Sequence, residues 1–297
     1  MTPYVDAAGL SMREAVNALE AALAGGLDPE ADPPRSIVDV PAGQLLSMPA
    51  AAGRYAGVKV VSVAPGNADR DLPRVQGMYL LLDGQTLAPL AVLDGVTLTA
   101  LRTPAVSALA VRHLATADAA RLLVFGTGPQ AYGHVQAMRA VRPVAHVDVV
   151  GRRPERVADL VAHCRAAGLS AVAASPGEVA RADLVCCCTT ARVPLFAGEL
   201  LPDHATVVVV GSHEPDALEV DERLVHRATT VVEARSAALR EAGDIVLAGL
   251  SDPHTLADLV RGEVSVAPGR PRLFKSVGMA WEDLIVAAAA YEVGTPT

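Results

Sequence analysis

The sequence predicts an α/β protein of two domains, and three observations support this expectation. The chain has 297 residues, which is enough for about two domains of ordinary size. Hydrophobic residues make up 51% of it, so a large core can form and a disordered chain is excluded. From Arg121 onward, short apolar runs alternate with helical segments, which is the pattern of a parallel sheet built from strand–helix–strand units.

Composition and charge exclude several classes of function. The 25 Lys and Arg residues against 33 Asp and Glu residues give a net charge of −8, whereas a nucleic-acid surface needs a basic stripe. The longest apolar runs, such as Leu284–Tyr291, fall far short of the roughly 18–20 residues of a membrane span. The first residues lack the basic and apolar regions of a signal peptide. We therefore predict a cytoplasmic protein with neither a nucleic-acid nor a membrane partner.

The first third of the chain reads as strands and turns followed by a helical region. Residues 57–65 alternate as a strand does, and residues 77–83 and 87–95 form a predicted hairpin pair. Residues 97–115 are predicted to be helical in two stretches, because Pro104 is tolerated only near the first turn of a helix.

The strand–helix rhythm begins with RLLVFGTG and the helix PQAYGHVQAMRAV, and continues with the strand AHVDVVGRR and a helix stopped by Gly168. ADLVCCCTT, ATVVVVGSH and TTVVEA are further predicted strands. The final stretch is predicted to be helical from about Val277, after the sheet pattern ends, and to return to the N-terminal domain. The predicted domains are therefore residues 1–115 with 276–297, and residues 116–275.

The cysteines and histidines give no pattern typical of a metal site. Cys186, Cys187 and Cys188 are consecutive, and neighbouring residues of a strand point to opposite faces, so the three cannot converge on one ion. We interpret them as small buried hydrophobic residues, with a redox or metal role as the alternative. The histidines show no paired ligand spacing, and no metal is predicted.

Residues 126–131 match the motif G-x-G-x-x-A between a predicted strand and a predicted helix. In this context Gly126 permits a tight turn, and Gly128 lets the backbone approach a pyrophosphate. The N-terminus of the following helix presents N–H groups and the positive end of its dipole to the phosphates. The sequence therefore predicts a Rossmann dinucleotide-binding domain.

The choice between NAD and NADP depends on the end of the second strand, where an acidic residue about 20 positions on would bind the ribose hydroxyls. Counting leads to Asp148, but the pattern puts this residue in mid-strand and Gly151 at the strand end. Arg152, Arg153 and Arg156 follow. Guanidinium groups without a carboxylate suit a 2′-phosphate, so NADP(H) is predicted over NAD(H); the alternative is that these arginines are solvated charges at a helix start. The predicted cofactor-binding residues are Gly126, Thr127, Gly128, Pro129, Gln130, Gly151, Arg152, Arg153, Arg156 and Thr189.

Three basic residues of the first third stand in unusual settings. Arg35 follows two prolines, Lys59 is flanked by valines in a predicted strand, and Arg102 lies in an otherwise apolar helical segment. A cation among buried neighbours is costly unless an anion pairs with it. Each could bind an anionic ligand, or could instead pair with a local acid or extend its charge to solvent.

Seven segments, in order from about residue 33 to 285, make the chain resemble the ornithine cyclodeaminase/mu-crystallin family. These segments are PPRSIVDV, LLSMPA, YAGVKVV, LAVLDGVTLTALRTPAVSALA, LVFGTGPQA, VVVVGSHEPDALEVD and FKSVGMAWEDL. The resemblance implies a homodimer whose subunit combines a Rossmann domain with an α+β domain for substrate binding and dimerisation, built from both chain ends. It also implies that Arg35, Lys59 and Arg102 bind the carboxylate of an α-amino, α-keto or α-imino acid, with Met48 lining the pocket.

Two departures from the family pattern bear on the substrate. Cyclodeaminases of this family carry an Asp after the VVVVG strand, where this chain has His213, and Asp216 stands one residue beyond the following proline. The position two before Met48, which would contact the distal amine of ornithine, is Leu46. Both departures weaken ornithine cyclisation and fit a compact cyclic imine.

We therefore expect an NADPH-dependent reductase that converts Δ1-pyrroline-2-carboxylate or Δ1-piperideine-2-carboxylate to proline or pipecolate. Lys59 is the predicted electrostatic clamp or proton donor, and His213 either orients a water, donates a proton or has no chemical role. The alternatives are an amino-acid cyclodeaminase that releases ammonia, an amino-acid dehydrogenase that acts on a keto acid, and a non-enzymatic protein that binds NADPH and ligand as mu-crystallin does. The intact Lys59–Arg102 pair and the complete glycine turn favour an enzyme.

Overall fold

A computed structural model describes residues 2–211 and 213–294 of the chain. The chain forms two compact units, one made of the residues up to Thr103 together with those from Met279 onward, and the other of Pro104–Gly278. The first unit thus draws on both ends of the chain. The substrate and cofactor roles predicted for domains 1–115 with 276–297, and 116–275, stay predictions.

The strands and helices of the described residues are numbered in chain order. The strands are β1 (Tyr4–Val5), β2 (Ser36–Val40), β3 (Gly43–Ala52), β4 (Tyr55–Val63), β5 (Val75–Asp83), β6 (Pro89–Asp94), β7 (Arg121–Phe125), β8 (His146–Val150), β9 (Ser170–Ala173), β10 (Leu184–Cys187), β11 (Thr206–Val209), β12 (Thr229–Val232), β13 (His254–Thr255) and β14 (Arg272–Lys275). The helices are α1 (Met12–Ala24), α2 (Gly95–Leu114), α3 (Pro129–Val141), α4 (Pro154–Ala166), α5 (Glu222–Arg227), α6 (Arg235–Glu241), α7 (Gly243–Ala248), α8 (Leu256–Val260) and α9 (Ala280–Gly294).

The first unit is built on a six-stranded sheet in the order β1-β6-β5-β4-β3-β2. All neighbouring strands are antiparallel except β1 and β6. Alternate residues of the central strands, such as Met48, Tyr79 and Leu81, are buried on the face that α9 covers. Helix α1 packs against α9, so both chain ends close over one side of the sheet.

Helix α1 was not predicted, although the sequence carries a signal for it. The Ser11 side chain accepts a hydrogen bond from the Glu14 N–H, and the Glu14 carboxylate accepts one from the Ser11 N–H. This reciprocal pair is a capping box, read in sequence as S-x-x-E before an apolar run. Val16, Leu19 and Leu23 then form the buried stripe of the helix.

Helix α2 is continuous across Pro104, so the prediction of two helical stretches is wrong. An interior proline removes one backbone hydrogen bond and costs about 3 kcal/mol. Residues 102–111 are all buried, and the free energy of packing them exceeds this local cost. The division between the two units falls at Pro104.

The second unit contains an eight-stranded parallel sheet in the order β13-β12-β14-β11-β10-β7-β8-β9, as the predicted Rossmann fold requires. The expectation that the sheet pattern ends before residue 272 is wrong, because β14 lies between β11 and β12. Its sequence RLFK has a charged residue at each end, so it lacks the continuous apolar run that predicts a buried strand. The final helix also begins at Ala280 rather than near Val277.

Three of the four cysteines are buried packing residues, as predicted, whereas Cys188 follows β10 and is only partly buried. Cys186 and Cys187 belong to β10 and are fully buried, as is Cys164 on α4, and all are free thiols. Burial raises the pKa of the Cys186 thiol far above its ordinary value, so this group is neutral at physiological pH. Among the described residues, no three side chains of the kinds that ligate metals cluster together, and no helix has the length and apolarity to cross a bilayer.

Candidate functional site

The register of the first sheet aligns several predicted substrate residues. Met48 on β3 pairs with Lys59 on β4, and Lys59 pairs with Tyr79 on β5. Directly paired residues of neighbouring strands point to the same face of a sheet. Met48, Lys59 and Tyr79 therefore form a row on the buried face.

Arg35 lies just before β2, the strand next to β3 in the sheet. It immediately precedes Ser36, the first residue of β2, which pairs with Ser47, the chain neighbour of Met48 on β3. Arg35 is half-buried. Leu46 lies two residues from Met48 on the same strand face and is buried, which gives this part of the face an apolar surface.

Lys59 and Arg102 are buried against two carboxylates of α9. Lys59 Nζ lies 2.7 Å from Asp283 Oδ2, and Arg102 Nε lies 3.2 Å from Asp283 Oδ1. Arg102 Nη1 lies 2.6 Å from Glu282 Oε2. We call these four residues the cation cluster; none is more than 5% exposed. Lys59 and Arg102 thus have acidic partners within the protein. Pairing of this kind is the alternative to ligand binding that the sequence left open.

The cation cluster shifts the proton affinity of Lys59. Burial, together with the positive charge of Arg102, lowers the pKa of Lys59 from 10.5 to about 8, whereas Asp283 and Glu282 oppose this shift. Lys59 is therefore mainly protonated at neutral pH, with a pKa close to the range in which a side chain can give up a proton during a reaction.

Tyr79, at the other end of the row, was missed by the sequence analysis. Its side chain is fully buried, and its hydroxyl has no hydrogen-bond partner among residues 2–211 and 213–294. A Cβ atom at Gly57 would lie 2.3 Å from this hydroxyl, so Gly57 must be glycine for the ring to fit. Burial and the charges of Asp283 and Asp32 raise the pKa of Tyr79 well above 10, and the phenol stays neutral.

A groove of about 980 Å³ opens elsewhere in the first unit. It is lined by the end of α1, the β3–β4 hairpin and the α9 residues Trp281, Ile285 and Glu292. Arg35, Met48 and the cation cluster are not among its lining residues. Gly57, whose added Cβ would meet the Tyr79 hydroxyl, is among the lining residues, so the groove reaches the neighbourhood of the row.

The glycine turn of the second unit has the geometry that the motif predicts. Gly126 has a φ of +108°, and a Cβ there would lie 2.3 Å from the Cys188 carbonyl oxygen. Gly128 is the N-cap of α3 and provides no side-chain cap. A Cβ at Gly128 would meet nothing within 4 Å, so the N-terminus of α3 is open on that side. Thr127 packs against Gly151.

The first turn of α3 is held by a buried histidine that the sequence analysis did not single out. His134 Nδ1 lies 2.7 Å from the Gln130 carbonyl oxygen, and Nε2 lies 3.0 Å from Ser107 Oγ. Burial lowers the pKa of His134 to about 4, so the ring is neutral. Gln130 Oε1 is buried and lacks a partner among the described residues. The open helix N-terminus and this unsatisfied oxygen fit a nucleotide ligand.

The strand β8 ends where the apolar pattern predicts, and not at Asp148, to which counting about 20 residues from the glycine motif leads. Asp148 is buried inside the strand, with Oδ2 2.7 Å from Arg121 Nη2 and Oδ1 2.9 Å from His146 Nε2. The strand ends at Val150. The next residues on this edge are exposed and form no ion pair within the described part of the chain: Gly151, Arg152, Arg153 and Arg156.

Glu219 ties together two loops at the carboxyl edge of the sheet, and it was also missed. Its fully buried carboxylate accepts hydrogen bonds from the Thr189 N–H at 2.8 Å, the Thr189 hydroxyl at 2.6 Å and the Gly211 N–H at 2.7 Å. Thr189 follows β10 and Gly211 follows β11. Burial raises the pKa of Glu219, while these hydrogen bonds and Lys275 oppose the rise. The hydroxyl of Thr189, a predicted cofactor residue, is thus bound to Glu219.

Asp244 holds the backbone of Glu219 in place. Its Oδ1 accepts the N–H groups of Glu219 and Val220, and its Oδ2 lies 3.1 Å from Lys275 Nζ. His213 lies in the exposed segment after β11. Asp216, in the same segment, pairs with Arg192 at 2.5 Å.

Comparisons with known proteins agree with this architecture. The model of the ornithine cyclodeaminase/mu-crystallin family matches residues 6–295. Delta(1)-pyrroline-2-carboxylate reductase 1 of Burkholderia multivorans is 36% identical over 298 residues, covering 97% of this chain and 95% of the relative.

Two solved structures are also similar to the whole chain. Thermococcus litoralis Delta(1)-pyrroline-2-carboxylate reductase in complex with NADH and L-proline has a TM-score of 0.89 and 29% identity, covering 99% of this chain and 97% of that one. An archaeal alanine dehydrogenase dimer with bound NAD has a TM-score of 0.92 and 28% identity, covering 99% and 96%. The second unit is thus an NAD(P)-binding Rossmann fold, and the chain belongs to the ornithine cyclodeaminase/mu-crystallin family.

Proposed function

We propose that this chain is an NADPH-dependent reductase of cyclic imino acids, with Δ1-pyrroline-2-carboxylate and Δ1-piperideine-2-carboxylate as substrates. The observation that carries the proposal is the buried Lys59–Arg102 pair: both cations contact Asp283, and Lys59 pairs with Met48 across β3 and β4. Asp283 and Glu282 balance these two charges, so a small anion would be held by N–H donors that the carboxylates leave available. An α-imino acid supplies that anion next to the carbon to be reduced.

Lys59 has a donor left for the substrate. An ammonium carries three N–H groups. The contacts with Asp283 at 2.7 Å and with Thr99 Oγ1 at 3.4 Å account for two of them. The third is available for the substrate carboxylate or the imine nitrogen. Arg35 and Arg102 would hold the remaining carboxylate oxygens, and Met48 would pack against the ring.

The reduction adds a hydride to the imine carbon and a proton to its nitrogen. When bound, the nicotinamide supplies the hydride. Lys59 stabilises the carboxylate while the substrate is bound, and with a pKa of about 8 it can supply the proton near neutral pH. Holding the carboxylate at one end of the molecule fixes the position of the reacting carbon.

Leu46 supports a cyclic substrate over ornithine. It is buried on the same strand face as Met48 and offers no acceptor for a distal ammonium, and an unpaired charge there would be costly. His213, in place of the acid of cyclodeaminases, is proposed to orient a water or donate a proton. These two positions favour the reductase over the cyclodeaminase.

The preference for NADP(H) rests on the exposed arginines after β8. Gly126, Thr127, Gly128, Pro129, Gln130, Gly151 and Thr189 are proposed to cradle the dinucleotide, and Arg152, Arg153 and Arg156 to bind its 2′-phosphate. The double variant R152S/R153S is expected to raise KM for NADPH by about tenfold while KM for NADH changes little, because charge-assisted hydrogen bonds to the phosphate are lost. The exposed Arg139 on α3 provides the control R139S. A preference of the wild type for NADH would refute the assignment.

A homodimer is proposed from the outer face of the first sheet. Val38 pairs with Leu45 and Val60 pairs with Met78, and these four side chains are 44–59% exposed. An antiparallel sheet packed on one face usually carries polar residues on the other, so a second copy of this face is the proposed cover. V60D is expected to yield monomers in light scattering, whereas V172D on β9 leaves the assembly intact. A cytoplasmic location stays a prediction.

The function is tested by following NADPH oxidation with the two cyclic imino acids. Stoichiometric oxidation, with proline or pipecolate as product, is expected. Release of ammonia from ornithine without net NADPH change would instead identify a cyclodeaminase. Alanine dehydrogenase is the second candidate, because a solved member with a TM-score of 0.92 has this activity in its name, and pyruvate with ammonia tests it. NADPH binding without turnover of any of these compounds would indicate a binding protein.

A further inference from the structure

We infer that Asp283 is a positioning residue of the proposed substrate site, holding the Lys59 ammonium and the Arg102 guanidinium together as one receptor for the substrate carboxylate. The inference rests on the proposed function. Asp283 acts through these two cations and is not assigned a contact with the substrate.

The geometry of Asp283 divides its two oxygens between the two cations. Oδ2 lies 2.7 Å from Lys59 Nζ, and Oδ1 lies 3.2 Å from Arg102 Nε. The side chain is fully buried, so solvent does not screen these contacts. A carboxylate in the first turn of a helix is also stabilised by the positive end of the helix dipole, and Asp283 is the fourth residue of α9.

A bridge of this kind is needed because Lys59 and Arg102 carry like charges. Burial is the largest cause that lowers the pKa of Lys59, and the positive charge of Arg102 lowers it further. Asp283 is the largest of the groups that oppose these effects. Without Asp283, two adjacent buried cations would be unfavourable. Lys59 would then tend to lose its proton, or the two side chains would move apart.

Asp283 also joins parts of the fold that are distant in the chain. Lys59 lies on β4 and Arg102 on α2, and Asp283 follows Arg102 by 181 residues. Helix α9 packs against β3, β4 and β5, so the carboxylate is delivered to the sheet by the packing of the last helix. Loss of the bridge is therefore expected to move both cations.

The test uses the fact that the chain contains only two lysines, Lys59 and Lys275. Protein labelled with 13C at lysine Cε should give two lysine signals, and K59M assigns one by removing it. The pH titration of the Lys59 signal then reports its pKa without any assay of activity. Lys275, which pairs with Asp244, is the internal reference.

D283N is the test variant, and E282Q is the matched control. Glu282 is the adjacent residue, is equally buried and contacts Arg102, but it opposes the shift of Lys59 less than Asp283 does. D283N is expected to lower the Lys59 titration midpoint by about one pH unit or more, with a smaller change in E282Q. D283N should also raise KM for the cyclic imine about tenfold or more, with KM for NADPH nearly unchanged. An unchanged Lys59 midpoint in D283N would overturn the inference.

A double-mutant cycle keeps the test decisive if D283N folds poorly. Coupled residues show non-additive effects on stability, so D283N/K59M is expected to melt at a higher temperature than the two single losses predict. Additive losses would overturn the inference. A wild type that reduces no cyclic imine refutes the proposed function alone, because the titration and the cycle are measured without substrate.

Discussion

The two lysines of this chain are both buried against an aspartate, yet their surroundings differ. Lys275 ends the central strand β14, and its partner Asp244 also accepts two backbone N–H groups, so the pair is one part of a network that fixes loops. Lys59 instead lies beside a second cation, Arg102, with Asp283 shared between them. Lys275 and Asp244 stabilise the fold, whereas Lys59 and Arg102, although Asp283 and Glu282 balance their charges, keep N–H donors that can bind a further anion.

Replacing each lysine in turn distinguishes a role in activity from a role in stability, and these replacements have the largest expected effects. K59M should lower kcat/KM for the cyclic imine about 1,000-fold, because both the carboxylate contact and the proton source are lost. Its affinity for NADPH, measured by fluorescence titration, should stay near that of the wild type.

K275M should act on stability instead. It leaves the Asp244 carboxylate buried without its cation, which typically costs about 3–5 kcal/mol, and calorimetry measures the lowered Tm. Near-normal turnover in K59M would remove Lys59 from the mechanism, and a K275M protein as stable as the wild type would end the distinction.

The pH dependence of activity is the next largest effect. The pKa of Lys59 is about 8, and the proposed reaction needs the protonated form. The value of kcat/KM should therefore be flat below pH 8 and fall about tenfold per pH unit above it. Steady-state rates from pH 6 to 10 measure this limb. A limb that keeps the same midpoint in K59R, whose guanidinium does not titrate in this range, would assign it to another group.

Glu219→Gln should weaken nucleotide binding without affecting the substrate receptor. An amide accepts hydrogen bonds less strongly and adds a donor that faces the Thr189 and Gly211 N–H groups. A loss of about tenfold in NADPH affinity is expected, measured by isothermal titration calorimetry. The Lys59 titration is the control and should not move. Unchanged affinity would mean that this carboxylate serves folding alone.

A separate expected effect, on stability rather than activity, is a loss of stability in acid that comes from the second unit. Burial depresses the pKa of His134 to about 4, below the 6.5 of an exposed imidazole. The folded state then resists protonation, so stability is full above pH 6.5 and falls by about 3 kcal/mol as the pH drops towards 4. H134Q should show a shallower fall of Tm with pH over this window. An identical slope in both proteins would assign the acid sensitivity to other groups.

The sequence was most informative where structure depends on neighbouring residues. The turn at Gly126 needs a positive φ, and Gly128 opens α3; both requirements appear in the local motif. The apolar runs predicted β7, β8, β10 and β11 for the same reason, because a buried parallel strand must be apolar on both faces. Helix α1 carried an equally local signal in Ser11 and Glu14 that was overlooked.

Local patterns failed where packing outweighs propensity. Pro104 stops an isolated helix, but the burial of residues 102–111 carries α2 through it. The run RLFK looks unlike a core strand, yet Lys275 is neutralised by an aspartate 31 positions earlier in the chain. Tyr79 and His134 gave no signal, because their roles depend on Gly57 and Ser107 on other elements.

The sequence by itself determined the parallel sheet and the dinucleotide turn, since both follow from residue type and spacing, while the proposed role of the three cations rests on the family resemblance. Only the tertiary structure decided what those cations contact. A charge interacts through distance in space rather than along the chain, and it was the packing of α9 against the first sheet that brought Asp283 and Glu282 to Lys59 and Arg102.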